Sequence, residues 1–251
     1  MENPIKATWR RGECIVNGWM ILPSPELAEI MGQLPFDALC LDLQHGLMDY
    51  GAALGMLRAA GSRLPLGCRV PWNEPAMVMK MLDVGCLAII APMVNDPTEA
   101  KAFVGACRYP PVGYRSWGPT RAQLALGKDY GQWANDQVVT LAMIETQAGL
   151  ENVEAIAAVE GLDALYIGPA DLALSLGHPP LPVPTAPEVL AAIDRILKAA
   201  RAAGKVAGIH CGSPAMLREM RRRGFQFVTL YSEALFFTQA MAQALAEARG
   251  D

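Results

Sequence analysis

Eight short apolar runs punctuate the chain, and after each the apolar positions switch to a helical period. The runs predict strands over Cys14–Leu22, Ala38–Asp42, Leu66–Val70, Cys86–Val94, Val139–Ile144, Leu165–Ile167, Val206–Ile209 and Phe225–Leu230. The intervening segments predict helices over Pro25–Leu34, Asp49–Ala60, Ala76–Val84, Pro97–Cys107, Glu151–Val159, Asp171–Leu176, Glu188–Ala203, Pro214–Arg223 and Ala234–Arg249. The clearest unit joins the fifth and sixth strands. Its first strand ends on Glu145, and its second leads into Gly168-Pro169-Ala170-Asp171. A helical crossover returns the chain in the same direction, so the strands lie parallel and the two carboxylates share one sheet edge. Eight strands with helices between them predict an α/β fold, a single-domain (β/α)8 TIM barrel over residues 1–251. A doubly wound open sheet is the fallback, but no Gly-rich dinucleotide turn follows the first strand.

Two segments depart from plain alternation. Between Tyr109 and Gln137 lies an insertion containing Gly113-Tyr114-Arg115-Ser116-Trp117-Gly118-Pro119-Thr120-Arg121-Ala122. Long loops in compact domains are either functional or disordered, and two arginines with a Trp favour a lid-like binding loop over a solvated one. The last helix is apolar almost all round, whereas an outer barrel helix needs one apolar stripe. It is therefore expected to pack on, or swap with, a neighbouring subunit.

Composition narrows the picture further. At 52% hydrophobic and 18% charged, 251 residues can bury one large core, and a net charge of -4 gives no reason to expect nucleic acid or an acidic membrane surface. The start, Met1 to Lys6, lacks the order of a secretory signal, and no apolar run is long enough to span a bilayer. Cys14, Cys40, Cys68, Cys86, Cys107 and Cys211 are scattered without a Cys-x-x-Cys, as expected of reduced core residues in a cytoplasmic protein.

In such a barrel, reactive groups gather where strands end. Those ends supply Asp42, Gln44 and His45, then Arg69, Glu145 and Asp171. Each has a bland reading: Asp42 and Asp171 as helix caps, Arg69 as a rim ion pair, His45 as an ordinary loop histidine, Glu145 as a solvated acid. Their convergence on one cup favours function.

These residues resemble the HpcH/HpaI group of metal-dependent (class II) pyruvate aldolases. The matching motifs are Asp42-Leu43-Gln44-His45-Gly46, Arg69-Val70-Pro71, Leu82-Asp83-Val84-Gly85 with Ala91-Pro92-Met93-Val94, Met143-Ile144-Glu145-Thr146 and Ile167-Gly168-Pro169-Ala170-Asp171-Leu172-Ala173, together with the Arg115 to Arg121 loop. The resemblance implies a carbon–carbon lyase that cleaves 4-hydroxy-2-keto acids to pyruvate, or another 2-keto acid, plus an aldehyde. It implies a divalent metal (Mg²⁺, Mn²⁺ or Co²⁺) on Glu145 and Asp171, and a substrate carboxylate against Gly168, Pro169, Ala170 and Asp171. Arg69 would stabilise the enolate oxygen, and His45, oriented by Asp42, would act as base. Trp19, Gln44, Arg115 and Arg121 complete the expected substrate contacts, and a homo-oligomer, a trimer or hexamer, is implied as well. No lysine stands at a strand end, which argues against a Schiff base. Gln44, Met143 and Tyr231-Ser232-Glu233 stand where the family often has Glu, Gln and Val-Asp, departures that bear on substrate identity. A citrate/malyl-CoA-type lyase and a non-catalytic keto-acid-binding barrel are the alternatives. A phosphate-binding barrel would rest only on His210-Cys211-Gly212-Ser213, a weak signature.

Overall fold

In the computed structural model, which describes residues 1–60 and 64–250, the eight strands close into a parallel barrel in sequence order. They are β1 (Ile15–Met20), β2 (Ala38–Asp42), β3 (Leu66–Arg69), β4 (Ala88–Ala91), β5 (Val139–Ile144), β6 (Ala164–Ile167), β7 (Val206–Cys211) and β8 (Phe227–Ser232). Side chains alternate sides along a strand, so every second residue points into the barrel. One apolar cluster is that interior, with Ile15, Cys40, Ile90, Leu141, Tyr166 and Phe227 among its members. The larger cluster lies between the strands and the helical ring.

The predicted elements recur with small shifts at their ends. Helices Pro97–Cys107 and Pro214–Arg223 match at both ends, because Asp96 and Ser213 accept backbone N–H bonds as N-caps and Pro stands at the first position. The helix expected over Glu151–Val159 is instead two short pieces, Gln147–Glu151 and Val153–Ala157, broken at Asn152. The helix Pro4–Arg10 is not expected from the pattern, and it closes the bottom of the barrel with buried Ile5. Asn3 anchors it by donating to the carbonyls of Leu87 (2.9 Å) and Gln137 (2.7 Å).

The insertion differs from a lid. It carries two helices, Thr120–Leu126 and Tyr130–Gln137, and its arginines turn away from the strand ends. The last helix, Glu233–Arg249, packs on β1 and β8, with its first residue, Glu233, buried. Beyond that, Phe237, Met241 and Leu245 are 67%, 48% and 50% exposed. Among the described residues, no helix is long and apolar enough to cross a membrane.

Candidate active site

The carboxyl ends of the strands surround a cavity of about 250 Å³ lined by Trp19, His45, Arg69, Gly168, Asp171 and His210, among others. Its most ordered group comes from neighbouring strands in register. Asp42 and Arg69 are directly paired across β2 and β3, so their side chains project to the same side. Arg69 donates from Nε to Asp42 Oδ1 (2.9 Å) and from Nη2 to Oδ2 (2.6 Å), a two-point ion pair that is almost fully buried. Its guanidinium also lies 4.9 Å from the centre of the Trp19 ring, and the Trp19 N–H donates to Asp42 Oδ2 at 3.2 Å. Burial opposes the Asp42 charge, but Arg69's hydrogen bonds and charge outweigh it and hold the carboxyl below its usual range.

Contrary to the expectation that Asp42 orients the His45 ring, no hydrogen bond joins the two side chains among the described residues. The two Asp42 oxygens are occupied by Arg69 and Trp19, and Asp42 reaches His45 only through the backbone, where Oδ1 accepts the N–H groups of Gln44 (3.0 Å) and His45 (3.3 Å). The His45 ring is exposed at the cup. Gln44 does not line the cup, and its buried carbonyl oxygen has no partner among the described residues.

Two residues past Met143, which lines the cup, Glu145 continues the inward face of β5, and it is 1% exposed. Met93 donates its backbone N–H to Oε1 at 2.9 Å. To do so it adopts a left-handed backbone (φ 55°), unusual for a residue with a side chain, and Asn95 braces the turn by donating to the Met93 carbonyl at 2.8 Å. The other oxygen, Oε2, is buried without a partner among the described residues. A Cβ at position 168 would lie 2.3 Å from that oxygen and 2.5 Å from Met143 Cε, so glycine keeps the approach open. Burial, with the Asp171 charge as a smaller contribution, pushes the Glu145 carboxyl up to about 7, against one lowering hydrogen bond from Met93. Asp171 follows in the first turn of helix Pro169–Ser175, half-buried on the cup.

A buried carboxylate oxygen without a donor, beside a second carboxylate, is the donor set of a hard divalent cation that takes its remaining ligands from water and substrate. Among the described residues no cluster of three or more His, Cys, Asp or Glu exists, so the protein itself offers two carboxylates. Glu145 and Asp171 could hold such an ion.

Arg115 and Arg121 lie elsewhere. Arg115 is 1% exposed, donating to Asp83 Oδ1 (2.7 Å) and the Tyr130 hydroxyl (2.9 Å) with its guanidinium over Tyr109. Arg121 donates to the Val84 carbonyl and lines a separate cavity with Pro65, Leu66 and Leu87, where the strands begin. Each fastens the insertion to the turn after helix Pro75–Asp83 at the opposite end of the barrel, so neither reaches the cup of its own chain. Three residues with site contacts have no role that the sequence pattern alone assigns: Met93, Tyr166 and His210. Met93 stands out in the sequence only as a motif member, and the inward-facing period of β6 and β7 is the available signal for the other two.

A closed parallel barrel that carries two carboxylates and a clamped arginine at its strand ends suits lyase chemistry on a small acid. The family model for HpcH/HpaI aldolase/citrate lyase matches residues 17–240, and the chain belongs to that family. It is 41% identical over 249 residues to a hydroxypyruvate/pyruvate aldolase of Rhizorhabdus wittichii, covering 98% of this chain and 99% of that one. It is 36% identical over 248 residues to a 5-keto-4-deoxy-D-glucarate aldolase of Enterobacter sp., covering 98% and 96%. A crystal structure of an HpcH/HpaI aldolase/citrate lyase family protein from Burkholderia cenocepacia superposes with a TM-score of 0.92 at 34% identity, covering 98% and 99% of the two chains.

Proposed function

We propose that the protein cleaves, and in reverse forms, 4-hydroxy-2-keto acids, yielding pyruvate or a related 2-keto acid and an aldehyde. The supporting observation is the Glu145 oxygen, without a partner among the described residues, beside Gly168, which lines the cup that also receives the Arg69 guanidinium. Glu145 and Asp171 would hold a divalent ion such as Mg²⁺, Mn²⁺ or Co²⁺, which would supply Lewis acidity toward the 2-keto acid.

The chain's own groups do the rest. Backbone N–H groups at Ala170 and Asp171, in the first turn of a helix, face the substrate carboxylate. Arg69, rigidly held by Asp42 and Trp19, stabilises negative charge on the C2 oxygen as it develops. His45 takes the C4 hydroxyl proton. The C3–C4 bond then breaks, its electron pair leaving an enolate across C2 and C3, and the aldehyde departs. Protonation at C3 by the proton that His45 took completes the 2-keto acid and restores neutral His45. His45→Ala is expected to lower cleavage turnover by about 100-fold or more, while pyruvate still binds. Wild-type turnover in a folded His45→Ala protein would remove His45 from this role.

The same reading takes the chain as a homo-oligomer, a trimer or hexamer, in which the exposed apolar positions of the last helix pack on a neighbouring barrel. All six cysteines are unpaired thiols, five of them buried, which suits a reducing, cytoplasmic setting.

A further inference from the structure

β7 brings to the cup a side chain that the steps above leave unused. His210 is half-buried there, edge-on to Trp19 (centroids 5.1 Å, 84°) and 5.7 Å from the Tyr231 ring. Its Nδ1 lies 3.4 Å from the Tyr166 hydroxyl, a long hydrogen bond. Behind that contact runs a buried polar chain. The Tyr166 hydroxyl donates to Thr229 Oγ1 at 2.8 Å, and Asn17 Nδ2 donates to the same oxygen at 3.2 Å. Gly208 makes room for this arrangement, since a Cβ there would stand 2.8 Å from Tyr166 Cδ2.

Counting protons gives the chain a direction. Tyr166 has one hydroxyl proton, engaged by Thr229, so toward His210 its oxygen can only accept. With the Tyr166 proton on Thr229, Nδ1 of His210 is the N–H nitrogen. The ring stays neutral, because burial and then the Arg69 charge depress its pKa to about 4. Nε2 is left with a lone pair.

The location of that lone pair relative to substrate follows from the strand order. The carboxylates stand on β5 and after β6, and Arg69 stands on β3. A 2-keto acid with its C2 oxygen between them and its carboxylate at Ala170 and Asp171 turns C3 toward the remaining lining, to which β1, β7 and β8 bring Trp19, His210 and Tyr231, with His45 after β2 beside them. On that wall the Trp19 N–H is already engaged by Asp42.

We infer that His210 Nε2 accepts a hydrogen bond from a hydroxyl on C3 of the 2-keto acid, so that the site favours a 3-hydroxylated keto acid such as hydroxypyruvate over pyruvate. Tyr166 is the positioning residue that selects the imidazole tautomer. The inference rests on the aldolase reading above.

The test compares kcat/KM for hydroxypyruvate and for pyruvate, with one aldehyde and Mn²⁺, across four proteins. In His210→Phe the hydroxypyruvate-to-pyruvate ratio is expected to fall about tenfold, the factor carried by one lost hydrogen bond to a neutral group, with pyruvate kcat/KM within about threefold of wild type. His210→Gln, whose amide oxygen can accept, keeps more of the ratio than His210→Phe. Tyr166→Phe keeps the imidazole but frees its tautomer, and lowers the ratio by about two- to threefold. An unchanged ratio in folded His210→Phe, or an equal fall for both substrates, overturns the assignment. Should His210→Phe not fold, Tyr166→Phe and His210→Gln decide in its place, and an unchanged ratio in both overturns it equally. Metal-dependent exchange of pyruvate methyl hydrogens in D2O separates the two levels. Exchange with an unmoved ratio defeats the His210 role alone, and no exchange in the wild type defeats the aldolase reading and this inference with it.

Discussion

Arg69 reaches the cup as half of a buried ion pair, and this determines what its replacement does. Lys at position 69 keeps a charge but replaces the planar fork with a single ammonium. Arg69→Lys is expected to cost about 100-fold or more in kcat with the fold retained, measured by steady-state kinetics beside circular dichroism. Asp42→Ala strands a buried guanidinium and should lower the unfolding free energy by about 3 kcal/mol in denaturant titration. Glu145 makes a pH-dependent contribution of the opposite kind to an ordinary buried ion pair. Its folded pKa of about 7 lies above the usual 4.5, so the folded state holds the proton more tightly than the unfolded one. That contribution, at most about 3 kcal/mol, is present below pH ~4.5 and lost as pH rises through about 7. In EDTA the melting temperature should therefore fall over this window, and Mn²⁺ at pH 8 should restore it. Glu145→Gln should flatten the profile and abolish the Mn²⁺ response. A flat wild-type profile, or a Mn²⁺ response surviving in the variant, would separate Glu145 from metal binding.

At the scale of elements, the site depends on two backbone features. The turn after β4 places Met93 in a left-handed conformation to aim its N–H at Glu145. The turn after β6 needs glycine at 168, because a Cβ would occupy the space in front of Glu145 Oε2. Gly168→Ala is expected to weaken Mn²⁺ binding at least tenfold by calorimetry, with the barrel intact; unchanged affinity would place the ion elsewhere. The last helix gains its stability differently. A helix of 17 residues whose Phe237, Met241 and Leu245 face solvent gains little from its own barrel. Phe237→Glu with Leu245→Glu should shift the protein to a smaller species in light scattering, and a wild-type monomer at micromolar concentration would leave that apolar face unexplained.

The molecule as a whole divides its work between the two ends of one barrel. Where the strands begin, Ile5, Asn3, Arg115 and Arg121 fasten the N-terminal helix and the insertion. Where they end, Arg69 and Asp171 line the cup, and Glu145 stands behind Gly168 with one oxygen unpartnered among the described residues. That division is usual for this architecture, with stability at one face and chemistry at the other. Chelation is accordingly expected to abolish both cleavage and pyruvate methyl exchange in D2O without unfolding the protein, as read by NMR with circular dichroism as control. Exchange persisting in EDTA would exclude the metal from enolate formation.

The barrel, and the strand ends that carry its candidate site, are legible in the chain because both depend on period and order. Apolar runs of strand length alternating with helical segments leave few ways to close a core. Counting inward in twos from each strand places Arg69, Glu145 and His210 on the cup side. Which side chains then pair is a different matter, since it depends on strands packed around a closed ring. Asp42 is three residues from His45 but faces Arg69 directly across the β2–β3 register, and the shorter, better aligned contact took its oxygens. Arg115 and Arg121 sat in a loop suggestive of a lid. Only the packed structure offered Asp83, Tyr130 and the Val84 carbonyl as partners, and a buried guanidinium goes where its donors are satisfied. The Met93 backbone and the Tyr166–His210 chain likewise exist only once β4 to β8 are side by side, because hydrogen bonds between strands are set by three-dimensional register and not by distance along the sequence.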